Sequence, residues 1–384
     1  MQSMKIILVG PSNRFQGGIS SYLEYTALQL AEEGNEVGII FFDRLLPSFL
    51  YPGRDRLNEN PTLSFDHENI ETLFVMNYYG ILVPSEAKEK IAAFNPDFVI
   101  FHWWTFAVFP MIKRVARIMS DFRYRYYFEI HEVIDQNDSR IPMVSRISRM
   151  LGGRLLNRGS ALVAHSSTDV KQISSHYGVE PDKVKVIPLA NINLYGPRSS
   201  KAEAREKLGI DHRKVILFFG LIRKYKGVLE LIRAFEGAVG TEDTLLLIVG
   251  EIWDEKNSIM SAKNESVRKK DILLIDRFVK DSEISTIYSS ADVLAMPYSR
   301  ASQSAVGGIA MEYGIPIVAY SVGGLKEALD NYDNGYLIDS GNTNQFSAGL
   351  AEGINRSLLP SSGGNNVKDI IKAWIELDGG RSSG

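Results

Sequence analysis

The densest chemistry in the sequence is a run of cations in a turn. Phe218-Phe219-Gly220-Leu221-Ile222-Arg223-Lys224-Tyr225-Lys226-Gly227-Val228 places Arg223, Lys224 and Lys226 between two glycines, after an apolar run and before a helical one. Like charges this close repel, so water or an anion must hold them. A diphosphate meets that demand, and a solvated basic turn is the alternative. A second turn, Gly10-Pro11-Ser12-Asn13-Arg14-Phe15-Gln16-Gly17-Gly18-Ile19-Ser20, also feeds a helix. Gly17 and Gly18 let backbone approach a ligand closely, and a helix N-terminus offers N–H groups to phosphate. The spacing is neither Gly-x-Gly-x-x-Gly nor a Walker A sequence, so a turn without a ligand stays open. A third loop, Tyr298-Ser299-Arg300-Ala301-Ser302-Gln303-Ser304-Ala305, carries small hydroxyl and amide groups into a helix expected to begin near Ser304. Ser321-Val322-Gly323-Gly324-Leu325-Lys326-Glu327 feeds another helix, and ordinary connections are the alternative for both. Finally, His102-Trp103-Trp104-Thr105-Phe106 ends an apolar run; its rings suit stacking on a sugar, or burial as core.

Short apolar runs alternate with helical spacing along the whole chain, and these must position the turns. Runs at Lys5–Gly10, Val37–Phe42, Phe98–Trp103, Tyr126–His131, Ala161–His165, Val215–Gly220, Leu245–Gly250, Ile272–Ile275, Val293–Met296 and Ile315–Ala319 are mostly continuous, as in strands buried on both faces of a parallel sheet. Helical spacing at Ser20–Glu33, Ala107–Met119, Val144–Leu156, Asp169–His176, Val228–Glu236, Asp281–Ser290 and Gln345–Asn355 completes a doubly wound α/β pattern. The pattern pauses at Pro188–Ser200, which reads as a linker. Two domains are therefore expected, 1–190 and 197–355, with a ligand in the cleft between them. A short amphipathic helix, 367–377, is expected to pack back on the first domain.

The composition sets limits. With 384 residues there is length for about two domains, each with its own core. The balance of 43 Lys and Arg against 46 Asp and Glu argues against a surface built for nucleic acid. No cysteine is present, which excludes disulfides, thiolate catalysis and cysteine-ligated metals and suits a reducing cytoplasm; six histidines leave a histidine-based metal site open by count. No apolar stretch approaches the roughly 20 residues of a membrane span, and the apolar stretch at the N-terminus is too short for a signal peptide, so it reads as a first strand. Residues 139–158 hold five arginines and no acid among apolar residues. Such a segment suits peripheral contact with an anionic membrane, or a helix packed on the sheet with its arginines in water.

In order along the chain, the Gly17-Gly18 loop, Lys183-Val184-Lys185-Val186-Ile187-Pro188, Phe219-Gly220 with Arg223 and Lys226-Gly227, Asp276-Arg277-Phe278-Val279 with Glu283, Ala291-Asp292-Val293 with Pro297-Tyr298, Gly314-Ile315-Pro316-Ile317-Val318-Ala319 and Gly323-Gly324-Leu325 with Glu327 resemble glycosyltransferase family 4. The resemblance implies the GT-B architecture, two Rossmann-like domains facing a cleft, and a retaining, metal-independent transfer from a nucleoside-diphosphate sugar. It implies that Arg223 and Lys226 neutralise the donor diphosphate, that Gly17, Gly18 and Gly220 lie against the donor, and that His131 stands beside the sugar. His102, Trp103 and Trp104 become acceptor-side candidates. One departure matters: the family's two glutamates spaced Glu-x7-Glu fall on Ala301 and Ile309, and Glu312 is out of register to replace the second. The segment is similar instead to a Ser-Gln-Ser branch, in which Gln303, Ser304, Ala305 and Glu327 are the candidates for donor recognition.

The function this implies is sugar transfer to a glycan or lipid-linked acceptor in polysaccharide or glycoconjugate synthesis, with no metal, cofactor or nucleic acid. A nucleotide-sugar 2-epimerase and a non-catalytic nucleotide-sugar-binding partner subunit are the alternatives. The expected location is the cytoplasm, peripheral to the membrane's inner face.

Overall fold

The computed structural model describes residues 3–14, 18–44, 65–77, 80, 84–133, 142–189, 195–238, 243–301, 304–330, 332–358 and 367–379. The chain divides into two units, one of residues 1–189 with 367–384 and the other of residues 190–366.

The first unit is built on seven strands: β1 (Lys5–Pro11), β2 (Glu36–Arg44), β3 (Ile70–Asn77), β4 (Phe98–Trp103), β5 (Arg125–Ile130), β6 (Ala161–Ala164) and β7 (Val184–Val186). They lie in the order β3-β2-β1-β4-β5-β6-β7, and every pair is parallel. Every residue of β4 is buried, which is why its sequence is apolar except for His102 rather than alternating. Parallel neighbours need crossovers, and helices supply them. In Phe109–Phe122, the residues Met111, Ile112, Val115, Ala116 and Met119 recur at helical spacing and are buried; the helix stops where Arg123 turns left-handed at φ 62°. Ser166 caps Ser167–Tyr177, its hydroxyl accepting from the Asp169 N–H at 3.1 Å. The terminal helix Val367–Gly379 belongs to this unit, burying Trp374 edge-on against Tyr127 at 6.1 Å and pairing Lys368 with Glu33 at 2.9 Å.

The second unit holds β8 (Lys214–Phe219), β9 (Thr244–Val249), β10 (Ile272–Ile275), β11 (Val293–Met296), β12 (Ile317–Tyr320) and β13 (Gly335–Ile338), in the order β10-β9-β8-β11-β12-β13, again all parallel. A capping box of Ser200 and Glu203 starts its first helix, Lys201–Leu208. Arg205 and Lys201 of that helix pair with the buried Asp292, which also accepts the Val215 N–H at 2.7 Å and so fixes the helix to the base of β8.

Three strands had no counterpart among the expected ones: β3, β7 and β13. Each is the edge of its sheet. All three are only partly buried: β3 holds Glu71 and Thr72, β7 holds Lys185 and β13 opens on Gly335, whereas β10, also an edge, is four apolar residues and was expected. The helix expected over 144–156 is interrupted, running Pro142–Ile147, one π-turn over Ser148–Gly152, then Gly153–Leu156. There a Cβ on Gly153 would lie 2.3 Å from the Tyr177 carbonyl oxygen, so the segment presses close to its neighbouring helix. Among the described residues, no helix is long and apolar enough to cross a membrane.

Candidate active site

The cation-rich turn follows β8, the strand at which the second sheet's order reverses, and its backbone is held from both sides. Toward β9, Ile222 N–H donates to the Glu251 carbonyl and Trp253 N–H to the Ile222 carbonyl, both at 2.9 Å, while Lys224 N–H donates to Asp254 at 3.2 Å. Toward β11, Ser299 N–H donates to the Tyr225 carbonyl at 2.8 Å. Gly227, at φ 68°, packs so tightly that a Cβ there would lie 2.2 Å from the Pro297 carbonyl oxygen. Glycine is required at 227 on both counts, left-handed backbone and close approach.

This frame aims the two cations. The Arg223 guanidinium lies 4.3 Å from the Trp253 ring centroid and 3.9 Å from Asp254, with its side chain only 12% exposed. Lys226 Nζ lies 5.2 Å from the Tyr298 ring centroid. A Cβ on Gly220 would sit 3.3 Å from both Lys226 Nζ and Val306 Cγ2, so Gly220, the lysine ammonium and the first turn of helix Ala305–Glu312 converge on one point. An ammonium and a helix N-terminus side by side make a place for negative charge. Ser304 caps that helix, its hydroxyl accepting from Gly307 N–H at 3.4 Å, so the hydroxyl expected to face the donor also has a structural partner. Ala305 opens the helix, and Glu327 lies half-buried in the helix Gly323–Leu329. That helix is stitched to the same loop: Gly324 N–H donates to the Ala301 carbonyl at 3.1 Å. Ile309, which stands where the family has its second glutamate, is 3% exposed and part of this unit's core. Gln303 and Gly17 lie outside the described residues; Gly18 is the exposed first residue of helix Gly18–Glu32.

The first unit carries a different cluster at its strand ends. Strand register pairs His102 of β4 with Glu129 of β5, and Glu129 with Val163 of β6. His131 and His165 each follow two residues beyond that row on the same face, so three histidines surround one carboxyl. His102 Nδ1 lies 2.8 Å from His131 Nε2 and 3.2 Å from Glu129 Oε2. His131 Nε2 and His165 Nε2 lie 3.9 and 3.8 Å from that carboxyl group, and the Tyr22 hydroxyl donates to Glu129 Oε1 at 2.8 Å. Gly10 makes room for this, since a Cβ there would lie 2.4 Å from Leu23 and 3.2 Å from the His102 ring. Burial pushes the Glu129 carboxyl up to about 8, and holds His102 down to about 3, His165 to about 4 and His131 well below its usual value. The imidazoles are neutral at pH 7, and His102, Glu129 and His131 bring three possible metal-ligand atoms within 4.8 Å of one another.

Trp103, expected on the acceptor side, is a core residue: fully buried, its indole N–H donates to the Tyr177 hydroxyl at 3.2 Å. Neighbouring residues of a strand face opposite sides, so His102 and Trp103 cannot both join the histidine cluster. Trp104 is half-buried against Phe42. Sequence reasoning missed Glu129, Tyr22, His165, Trp253 and Asp254. The legible signal was Glu129, a carboxylate inside an otherwise apolar strand run.

The chain matches the model of Glycosyltransferase Family 4 over residues 16–190 and that of Glycosyl transferases group 1 over residues 200–369. It is 24% identical over 368 residues to the D-inositol 3-phosphate glycosyltransferase of Corynebacterium aurimucosum, covering 89% of this chain and 84% of that protein. To the enzyme of the same name from Corynebacterium efficiens it is 29% identical over 356 residues, covering 84% and 78%. The fold is similar to that of Anabaena HepE solved with UDP and glucose, with a TM-score of 0.67, 19% identity and coverage of 98% and 100%. It is also similar to the catalytic domain of Arabidopsis thaliana starch synthase IV bound to ADP and acarbose, with a TM-score of 0.69, 13% identity and coverage of 98% and 99%. Matched in both of its units, the chain belongs to the GT-B glycosyltransferases of family 4 type; it is a transferase enzyme.

Proposed function

We propose that the protein transfers a sugar, with retention, from a nucleoside-diphosphate sugar to a glycan or lipid-linked acceptor. The observation that carries this is the convergence of Lys226, Gly220 and the N-terminus of helix Ala305–Glu312, with Arg223 in the same turn. As the bond from the anomeric carbon to the diphosphate breaks, the leaving diphosphate gains negative charge. Cations already in place stabilise that charge without reorganising. In this reading the chain's own cations meet the diphosphate, and no divalent ion is needed there. Gly18 and His131 are the first unit's candidates for contact with donor and sugar; Gln303, Ser304 and Glu327 take the place of the family's glutamates. That a structure of similar fold was solved with UDP and glucose supports the class of donor.

The test is thermal stabilisation by UDP, GDP, ADP and CMP, with and without Mg²⁺, on the wild type and Lys226→Ala. A ligand at 100 times its Kd adds about 2.7 kcal/mol to the folded state, ample for detection. One diphosphate should stabilise the wild type without Mg²⁺ and fail on the variant. Silence across the panel sinks the reading, and a strict need for Mg²⁺ sinks its metal-free part.

The acceptor side of the proposal includes work in the cytoplasm at the membrane's inner face. Met143 and Met150 are 69% and 50% exposed beside the exposed Arg146, Arg149, Arg154 and Arg158, while Leu155 and Leu156 anchor the segment in the core. Exposed apolar and cationic groups within one segment suit an anionic bilayer. Failure to co-sediment with phosphatidylglycerol vesicles at low salt would dispose of this contact.

A further inference from the structure

The histidine cluster of the first unit surrounds one buried carboxyl with neutral groups only, so the carboxyl either holds a proton or takes a positive partner in its place. Glu129 is 1% exposed, and among the described residues no lysine or arginine pairs with it; its neighbours are three imidazoles and a phenol. A buried carboxylate needs a positive partner or a proton.

Counting protons narrows what that partner is. The Tyr22 hydroxyl proton is committed to Glu129 Oε1. His165 Nδ1 faces the Ile187 carbonyl oxygen at 3.0 Å, which can only accept, so the neutral ring carries its proton there and turns the lone pair of Nε2 toward Glu129. His165 is thereby held against the carboxyl's other oxygen, Oε1, and stands outside the ligand set. His102 Nε2 is buried with no hydrogen-bond partner among the described residues, so an ion on Nδ1 leaves the Nε2 proton without an acceptor, a cost that the bond to the ion must outweigh.

The geometry fits a cation. His102 Nδ1, Glu129 Oε2 and His131 Nε2 are separated by 2.8, 3.2 and 3.9 Å. These values bracket the roughly 3.3–3.5 Å edge of a tetrahedron with bonds of about 2.1 Å, the shape of nitrogen and oxygen ligands around zinc. The three atoms come from adjacent strand ends packed on a rigid sheet, the placement that best holds a ligand set. We propose that His102 Nδ1, Glu129 Oε2 and His131 Nε2 form a buried site for one divalent transition-metal ion of the zinc class, with Tyr22 orienting the carboxylate from behind. The site lies in the first unit, the diphosphate turn in the second. Its consequence for transfer is positional: an ion on His131 Nε2 fixes the ring that the proposed function sets beside the sugar.

The experiment uses the full chain, purified without chelators or a metal-affinity tag. Metal content is measured by inductively coupled plasma mass spectrometry, and the metal-stripped protein is titrated with zinc and with cobalt(II), whose visible absorption reports four-coordination. Close to one ion per chain is expected in the wild type. Glu129→Gln and His131→Ala should each lose at least 100-fold in zinc affinity, and Tyr22→Phe about 10-fold, the size of a loss behind the ligands. Circular dichroism and urea denaturation confirm that the variants fold; Glu129→Gln keeps the side chain's shape should His131→Ala fail. No bound metal and no zinc uptake by the stripped wild type overturns the proposal, leaving a protonated hydrogen-bonded cluster. Equal uptake by folded Glu129→Gln overturns it as well, placing the ion elsewhere.

Discussion

Both units gather polar side chains at the carboxyl ends of parallel strands, yet they do so with opposite chemistry. In the first unit His102, Glu129 and His165 are buried to within a few per cent, and burial keeps the imidazoles neutral. In the second, the polar groups are cationic side chains: a guanidinium stacked on Trp253 and an ammonium beside a helix start. Neutral imidazoles in a closed place can share a proton or bind a cation. Fixed cations on a turn can receive an anion that arrives from water. One Rossmann-like scaffold therefore supports either role, and what decides is which ionisation state burial permits.

The strongest way to break this division is to exchange the costs. Removing Lys226 by substitution to alanine should lower sugar turnover by about 10²–10³-fold, the penalty typical of losing one preformed partner for developing charge. Folding stability should barely change, since a surface-turn lysine contributes little to it. Steady-state rates together with urea melts check both halves. Were Glu129→Gln to cost as much turnover as Lys226→Ala, the anion-receiving task would not belong to the second unit alone.

Two glycines sharpen the contrast on the stability side. Gly227→Ala meets a backbone carbonyl at 2.2 Å and a left-handed φ of 68° together, and neither can yield without moving the loop after β11. About 2–3 kcal/mol of stability should be lost, along with nucleotide binding, because the same loop buttresses the cationic turn. Gly10→Ala meets the far end of the flexible Leu23 side chain instead. It should cost about 1 kcal/mol by urea denaturation and leave nucleotide binding intact. If Gly10→Ala proves the costlier of the two, the histidine cluster tolerates less movement than the diphosphate turn.

These residues also show what the sequence made legible. Gly220, Gly227, Arg223 and Lys226 sit within eight residues, so their site could be read from spacing. The first unit's cluster draws on Tyr22, His102, Glu129, His131 and His165, spread over more than 140 residues, and only strand register brings them together. A similar limit governs the strands: most announce themselves as apolar runs, the edge β10 included, whereas β3 and β7 carry polar residues inside the strand and β13 is short and opens on a glycine. Trp103 was read as a ligand-facing aromatic because alternation along β4 sets its face only once the sheet's two sides are known.

The smallest expected effect tests whether charge by itself marks a site. Arg277 and Glu283 form an ion pair in the second unit, joined by two bonds of 2.9 and 2.6 Å, and they belong to a segment that carries the family resemblance. Both side chains are substantially exposed, at 50% and 35%. Exposed pairs contribute about 0.2–1 kcal/mol, because water already solvates both partners and salt screens their attraction. Arg277→Ala should therefore shift the urea midpoint slightly, by an amount that shrinks as salt is added, and should leave nucleotide stabilisation unchanged. Arg223, with its side chain 12% exposed, differs from Arg277 in surroundings rather than in charge. A loss of nucleotide binding in Arg277→Ala would mean that the donor's reach extends past the turn after β8, and that the site is set by the summed charge of this face instead of by two placed cations.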